Sequence, residues 1–337
     1  MKRILPVLLL ATLSPAARSA PVQTYHLVHE IHIAGEQGWD YLTAEPNGHR
    51  LFVTHGDRVE VIDLGNFEPL GTIADTAGVH GVALAPDLGR GFVSAGAADQ
   101  VVVFDLKTLA RVAEIKTTGA NPDAILFDRN TQRVFTFNGR GRNATVIDAR
   151  TQAVLGTIPL DAKPEFAVSD EAGHVFVNLE DRNSIAEIDA RGMRVTRTFQ
   201  LPGCEEPSGL AFDRQHHRLF SVCSNNAMAI VDSSSGKLVR NAPIGAGPDA
   251  ASFDAATQLI YASAGDGTLT ILKEVTPDTF TLIQTLTTKP GARTMALDEG
   301  SHRVFLSTAQ REPVDIKTPR TRPKVVPDTF EVLVFAP

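Results

Sequence analysis

The sequence predicts an all-β fold, a seven-bladed β-propeller with four-stranded antiparallel blades, and three observations carry that reading. One two-part phrase recurs seven times at nearly constant spacing. Each recurrence sits among four strand-like runs. The two ends of the chain each hold a partial unit that the other completes.

The phrase is a β-branched or aromatic triplet, a polar turn, and an alternating apolar stretch ending in Asp. It reads Leu51-Phe52-Val53 to Val61-Ile62-Asp63, then Gly91-Phe92-Val93 to Val103-Phe104-Asp105. It returns as Val134-Phe135-Thr136 to Val146-Ile147-Asp148, Val175-Phe176-Val177 to Glu187-Ile188-Asp189, and Leu219-Phe220-Ser221 to Ile230-Val231-Asp232. Ile260-Tyr261-Ala262 to Ile271-Leu272-Lys273 follows, and Val304-Phe305-Leu306 is completed by Val332-Leu333-Val334. The five Asp positions step by 42, 43, 41 and 43 residues. A period of roughly 40–45 residues is that of propeller blades.

Within the second unit the runs are Gly81 to Leu84, Gly91 to Ser94, Val101 to Asp105 and Val112 to Ile115. Pro86-Asp87, Gly96-Ala97 and Lys107-Thr108 separate them, and such residues favour tight turns. No stretch keeps helical periodicity for long enough to compete. The last unit, Arg293 to Phe335, has only three strands, and Tyr25 to Ile33 at the start is a strand without a unit. Placing it outermost in the last blade closes the ring and removes an edge that would otherwise invite aggregation.

The composition agrees. Of 337 residues, 43% are hydrophobic and 21% charged, which excludes a disordered chain. Lys2 and Arg3, an apolar run from Ile4 to Leu13, and small residues from Ser14 to Ala20 have the layout of a secretory signal peptide, 1–19. The single propeller domain is then 20–337, and the expected location is periplasmic or secreted. Without Lys2, Arg3 and Arg18, 29 basic residues face 39 acidic ones, a net charge of −10. Such a chain repels a phosphate backbone, which argues against nucleic acid as a partner. Cys204 and Cys223 are expected to pair in an oxidising compartment. Their antiparallel neighbours, Ser208–Phe212 and Leu219–Cys223, bring them together, and no Cys-x-x-Cys arrangement is present.

The motif Gly119-Ala120-Asn121-Pro122-Asp123-Ala124, with Val134 to Asn138 and Val146-Ile147-Asp148, resembles the YVTN-repeat, YncE-like family of bacterial β-propellers, part of the wider WD40-like repeat superfamily. Asp232-Ser233-Ser234-Ser235-Gly236-Lys237 with Gly245 to Asp249 repeats it, and the resemblance covers nearly all of the chain after residue 19. It implies the propeller fold and a secreted or periplasmic setting. It also raises DNA binding, against which the acidic balance stands. It supplies no shared catalytic residues, so site residues must come from geometry.

In a propeller the loops leading into the innermost strands share a face with the loops between second and third strands. The first set offers Trp39, Asp40, His80, Asp123, Glu165, Glu206, Asp249 and Arg293. The second offers His55, Asn138, Asn178 and Asn225. Together these are the candidate ligand-binding residues of a central funnel. Convergent carboxylates raise one another's pKa, hold a hard cation or receive a positively charged ligand. Asp40, His80, Asp123 and Asp249 are the candidate metal ligands, with a divalent metal the only cofactor the residues suggest. Asp residues in such loops also cap backbone amides, and Trp39 either stacks on a ligand or packs on a neighbouring blade. His216 and His217 fall in a turn on the opposite face and read as surface residues.

The insertion 309–327 carries Arg311, Lys317, Arg320, Arg322 and Lys324 among four prolines and is expected to hang over the funnel as a basic flap. No nucleophile motif such as Gly-x-Ser-x-Gly stands out. The reading is a scaffold that binds a small ligand or a periplasmic protein through its funnel. The alternative is a metal-assisted hydrolase or lactonase using the funnel carboxylates with His80 as base. A quinone-cofactor dehydrogenase is disfavoured, since Trp39 is the only tryptophan.

Overall fold

Seven four-stranded antiparallel sheets form the molecule, a computed structural model that describes residues 24–35, 38–46, 48–313 and 323–337. The expected signal peptide, 1–19, lies outside the described residues, as do Lys317, Arg320 and Arg322 of the insertion. Blade 1 starts with the strand Leu42–Ala44 nearest the axis. The innermost strands of blades 2 to 7 begin at Val79, Pro122, Pro164, Pro207, Pro248 and Thr294.

The N-terminal strand His26–His32 joins the outer edge of blade 7, as expected. Its register on Glu331–Ala336 runs from His26 opposite Ala336 to His32 opposite Glu331. The first and last described strands therefore lie in one sheet.

The Asp that ends each phrase has a local job. Asp105 Oδ1 accepts the amides of Lys107 and Thr108, and Asp148 Oδ1 those of Arg150 and Thr151. Asp189 Oδ1 takes those of Arg191 and Gly192. Four residues on, the chain turns back through a positive φ at Phe67, Leu109, Gln152, Met193 and Gly236. The amide of each bonds the carbonyl of its Asp at 2.8 Å. A carboxylate accepting two amides favours its charged form, and these bonds lower the pKa of Asp105, Asp148 and Asp189. The repeat's spacing is thus set by a turn that needs an acceptor at its start.

Cores lie between blades. Phe52, Val59 and Val61 of blade 1 pack on Val93, Val102 and Phe104 of blade 2, all fully buried. Phe220 and Ile230 of blade 5 meet Phe253, Ile260 and Phe280 of blade 6. Side chains alternate across each strand, so one face of a blade fills the gap to the blade before it and the other face the gap to the blade after.

A disulfide joins Cys204 to Cys223 with Cα atoms 5.3 Å apart, and no free cysteine remains among the described residues. It fastens the loop leading into blade 5 to the end of the second strand, where Pro207 pairs with Cys223. Replacing both cysteines by Ala is expected to cost about 3 kcal/mol, the size for a closed loop of this length. Comparing urea midpoints of the variant and the parent protein checks it. No helix among the described residues is long and apolar enough to cross a membrane.

Candidate functional site

Where the innermost strands begin, they do not pair regularly. Register shifts fall between Val79 and Val82, Pro122 and Ile125, Pro164 and Ala167, Pro207 and Leu210, and Pro248 and Ala250. A bulge re-aims a side chain that a regular strand would send to the blade gap. The residues within these irregular turns include His80, Asp123, Glu165 and Asp249.

Hydroxyls of the second strands hold this geometry. Ser94 Oγ donates to the Asp123 carbonyl at 2.6 Å and accepts the Gly81 amide at 2.9 Å, tying blade 2 to blade 3. Thr54 Oγ1 accepts the Asp40 amide at 3.0 Å and donates to the Tyr41 carbonyl at 2.9 Å.

His80 is the hub. Its Nδ1 lies 2.6 Å from Asp40 Oδ2 and 3.6 Å from Asp123 Oδ1. Burial works against the imidazolium, but the hydrogen bond to Asp40 and the charges of Asp123, Asp40 and Glu165 outweigh it and raise the pKa to about 9. Asp123 is pushed up to about 7 by burial, opposed by His80 and aided by Asp40 and Asp249. Its Oδ1 is buried and accepts no hydrogen bond. Glu165 is pushed up to about 8, by burial and then by the charge of Asp123, although Lys163 Nζ stands 2.8 Å away. Lys163 also pairs with Glu180. Arg293 Nε is 3.2 Å from Asp249 Oδ2.

Beneath this cluster Tyr41 meets Phe166 edge to face, with centroids 5.2 Å apart. Burial and the charges of Asp123, Asp40, Glu165 and Asp249 hold its phenol protonated well beyond the usual range. Tyr41 and Phe166 also line an axial channel of about 360 Å³ with Leu42, Val82, Leu126, Leu210 and Met295. The axis is therefore acidic above and mainly apolar below, with Arg214 and Glu299 also on the channel wall.

The structure gathers Asp40, His80, Asp123, Glu165, Asp249 and Arg293 from the expected set. Others take structural roles. His55 is fully buried and stacked on Phe330 at 4.5 Å, so it does not line the funnel surface. Asn138 is also fully buried, its Nδ2 on Asn143 Oδ1 and Thr145 Oγ1. Buried Asn178 donates to the carbonyls of Ser208 and Gly209, tying blade 4 to blade 5. His55 and Asn178 are covered from another blade, Asn138 by the third strand and entry loop of its own blade. Asn225 ties its loop to the entry loop of the same blade, accepting the Glu205 amide and donating to the Gly203 carbonyl. Glu206 is exposed at a positive φ, its amide donating to Asn183 Oδ1.

Trp39 packs on a blade: its ring lies 5.2 Å from Phe330, and the Arg311 guanidinium sits 5.0 Å above it. The base of the insertion thus docks on Trp39, with a β-bridge from Arg311 to Val325. Lys163 and Tyr41 were missed from the sequence, although Lys163 stands two residues before Glu165 in the same kind of loop. His216 is a correction. It turns inward to lie 2.7 Å from buried Asp213, while His217 is exposed as expected.

No known family's sequence profile matches the chain, and neither does any curated protein. Solved structures do match. The fold is a seven-bladed β-propeller. The structure of U3-55K superposes with a TM-score of 0.77 at 8% identity, covering 90% of this chain and 97% of that one. The WD40 repeats of RRP9 give 0.78 at 7% identity, covering 91% and 97%. Hydrazine synthase from Kuenenia stuttgartiensis gives 0.70 at 17% identity, covering 80% and 92%. At these identities the likeness is one of fold.

Proposed function

We propose that this protein is a binding propeller whose funnel captures a positively charged ligand group at the Asp40, His80, Asp123 and Glu165 cluster. The carrying observation is Asp123, whose buried Oδ1 makes no hydrogen bond while three further carboxylates act on the same space. Three cations, His80, Lys163 and Arg293, face the four carboxylates, so the cluster retains room for one more positive charge. Without it, Asp123 and Glu165 hold protons near neutral pH.

A cationic ligand must displace those protons. Binding is therefore weak below about pH 7 and strengthens as pH rises through the two raised carboxyl values, about 7 and about 8. Calorimetric titration with Mn²⁺ and with spermidine at pH 6.0 and 8.5 tests this. At least one probe is expected to bind about tenfold tighter at the higher pH, one decade for one proton released over a unit of pH. Asp123→Asn should abolish the gain. Equal affinity at both pH values, or no binding of either probe, overturns the reading.

We place the protein with the secreted YVTN-type propellers, in the periplasm, on the sevenfold phrase, the signal-like start and the disulfide. Its acidic funnel favours a cationic small ligand or protein segment over nucleic acid. The hydrolase alternative draws on Asp40, His80 and Asp123, whose ligand atoms lie within 4.8 Å of one another. His80 weakens it: with a pKa raised to about 9 the imidazole is already protonated at neutral pH, and a protonated base accepts nothing.

A further inference from the structure

On the face opposite the funnel, the innermost strands of blades 3, 5 and 6 end in a buried Asp that reaches toward the next blade. Asp128 accepts the hydroxyl of Ser169 from blade 4 at 2.7 Å. Asp254 of blade 6 meets His302 Nδ1 of blade 7 at 2.6 Å. In both, the partner is a donor. Blade 5 breaks the pattern, because Asp213 faces Glu274, a second carboxylate, from blade 6.

Both acids are buried, Asp213 at 1% and Glu274 at 2% exposure. His216 Nδ1 lies 2.7 Å from Asp213 Oδ2 and 3.0 Å from Glu274 Oε1. The ring does not aim a hydrogen bond at either. Asp213 Oδ2, His216 Nδ1 and both Glu274 oxygens are buried with no hydrogen-bond partner. Arg218, at the end of the same turn, is engaged by Asp232, Asp278 and the Pro277 carbonyl. The three groups pack within ion-pair distance, yet an atom of each is left without an aligned hydrogen bond, and one shared cation would satisfy all three.

Two other groups of His and carboxylates come equally close among the described residues, and each has its own cation or bond. Lys289 Nζ lies 2.8 Å from Glu331 and 3.0 Å from Glu30. His80 is hydrogen-bonded to Asp40 in the funnel.

We propose that Asp213, His216 and Glu274 form a divalent-metal site that ties blade 5 to blade 6. One imidazole nitrogen with two carboxylate oxygens suits a first-row divalent ion, Zn²⁺ or Mn²⁺, better than the all-oxygen shell Ca²⁺ prefers. The atoms span 4.8 Å or less, the separation of ligands around one such ion. Metal ligation takes the neutral imidazole of His216 and the ionised carboxylates of Asp213 and Glu274. The site is independent of the funnel and lies at the other end of the blades.

The test is equilibrium dialysis of chelator-stripped protein against Zn²⁺ and, separately, Mn²⁺, followed by elemental analysis. Wild type is compared with Glu274→Gln, His216→Asn and Asp123→Asn. Wild type is expected to hold one equivalent more than Glu274→Gln and His216→Asn, and Asp123→Asn, whatever its funnel loses, one equivalent more than the double variant Asp123→Asn/Glu274→Gln. A hundredfold excess of metal over its Kd should raise the unfolding temperature of wild type by about 5 °C and leave Glu274→Gln unchanged. Glu274→Gln keeps the side chain's shape and removes a buried charge; should it fail to fold, His216→Asn carries the comparison. Equal metal content in Glu274→Gln and wild type overturns the proposal. So does a loss confined to Asp123→Asn, which would assign the metal to the funnel, and so does no binding at millimolar metal.

Discussion

Deletion of residues 24–33 is expected to leave no folded monomer. That strand is the outer edge of blade 7 and pairs along the whole of Glu331–Ala336. Val332, Leu333, Val334 and Phe335 behind it are at most 1% exposed. Tyr25, just before the strand, also holds the last two blades together. Its phenol bonds the Tyr261 hydroxyl at 2.7 Å and the His302 carbonyl at 2.9 Å, and Gln284 brackets its backbone. Without the strand, an apolar edge with unpaired amides and carbonyls faces water, which is a template for pairing with another chain. Size-exclusion chromatography and thermal melting of the truncated protein check this. Aggregation or loss of the cooperative melt is the expected result. A monomer melting at the parent temperature would mean that the ring closes without its N-terminal strand.

Replacing His80 by Leu is expected to cost about 4 kcal/mol near pH 7.5, the scale for removing one partner of a buried ion pair. The loss should vary with pH in a bell. His80's raised value, about 9 against an ordinary 6.5, gives stability that is complete below about pH 6.5 and lost as pH rises through 9. Asp123 and Glu165, raised to about 7 and about 8, take up protons as pH falls below those values, so less depends on the imidazolium there. In between, the variant must bury Asp40 and Asp123 with no imidazolium between them, or keep protons that the unfolded chain releases. Urea unfolding of variant and parent at pH 4, 7.5 and 10 measures it. A difference that stays constant across the three would assign His80 a packing role only.

Much of the fold was legible because its signals are local and repeated. The triplets, the Asp that opens each turn and the spacing of about one blade per 42 residues are properties of contiguous sequence. The closing strand could be inferred by counting, since three strands at one end and one at the other make a blade. The disulfide was legible for the same reason: hairpin pairing places Cys204 beside the strand that ends at Cys223.

The funnel was legible by position but not by orientation. His55, Asn138 and Asn178 stand at equivalent places on second strands, and the topology correctly puts them near the funnel face. Their exposure depends on what folds over them, another blade for His55 and Asn178 and the entry loop and third strand of its own blade for Asn138. His216 failed in the opposite sense. Its turn reads as surface, yet Glu274, 58 residues later, approaches from the next blade and draws it in.

The sequence by itself determined the blade count, the order of strands, the closure of the ring and the acidic character of the funnel, because each follows from spacing and composition along the chain. Only the tertiary structure decided which side chains of the funnel face converge, that His80 rather than a carboxylate is its centre, and that two acids meet at Asp213 and Glu274. These follow from bulges that re-aim side chains and from contacts between blades, where residues far apart in sequence share one dry volume. In that volume the energy of a charge depends on neighbours that no local pattern names.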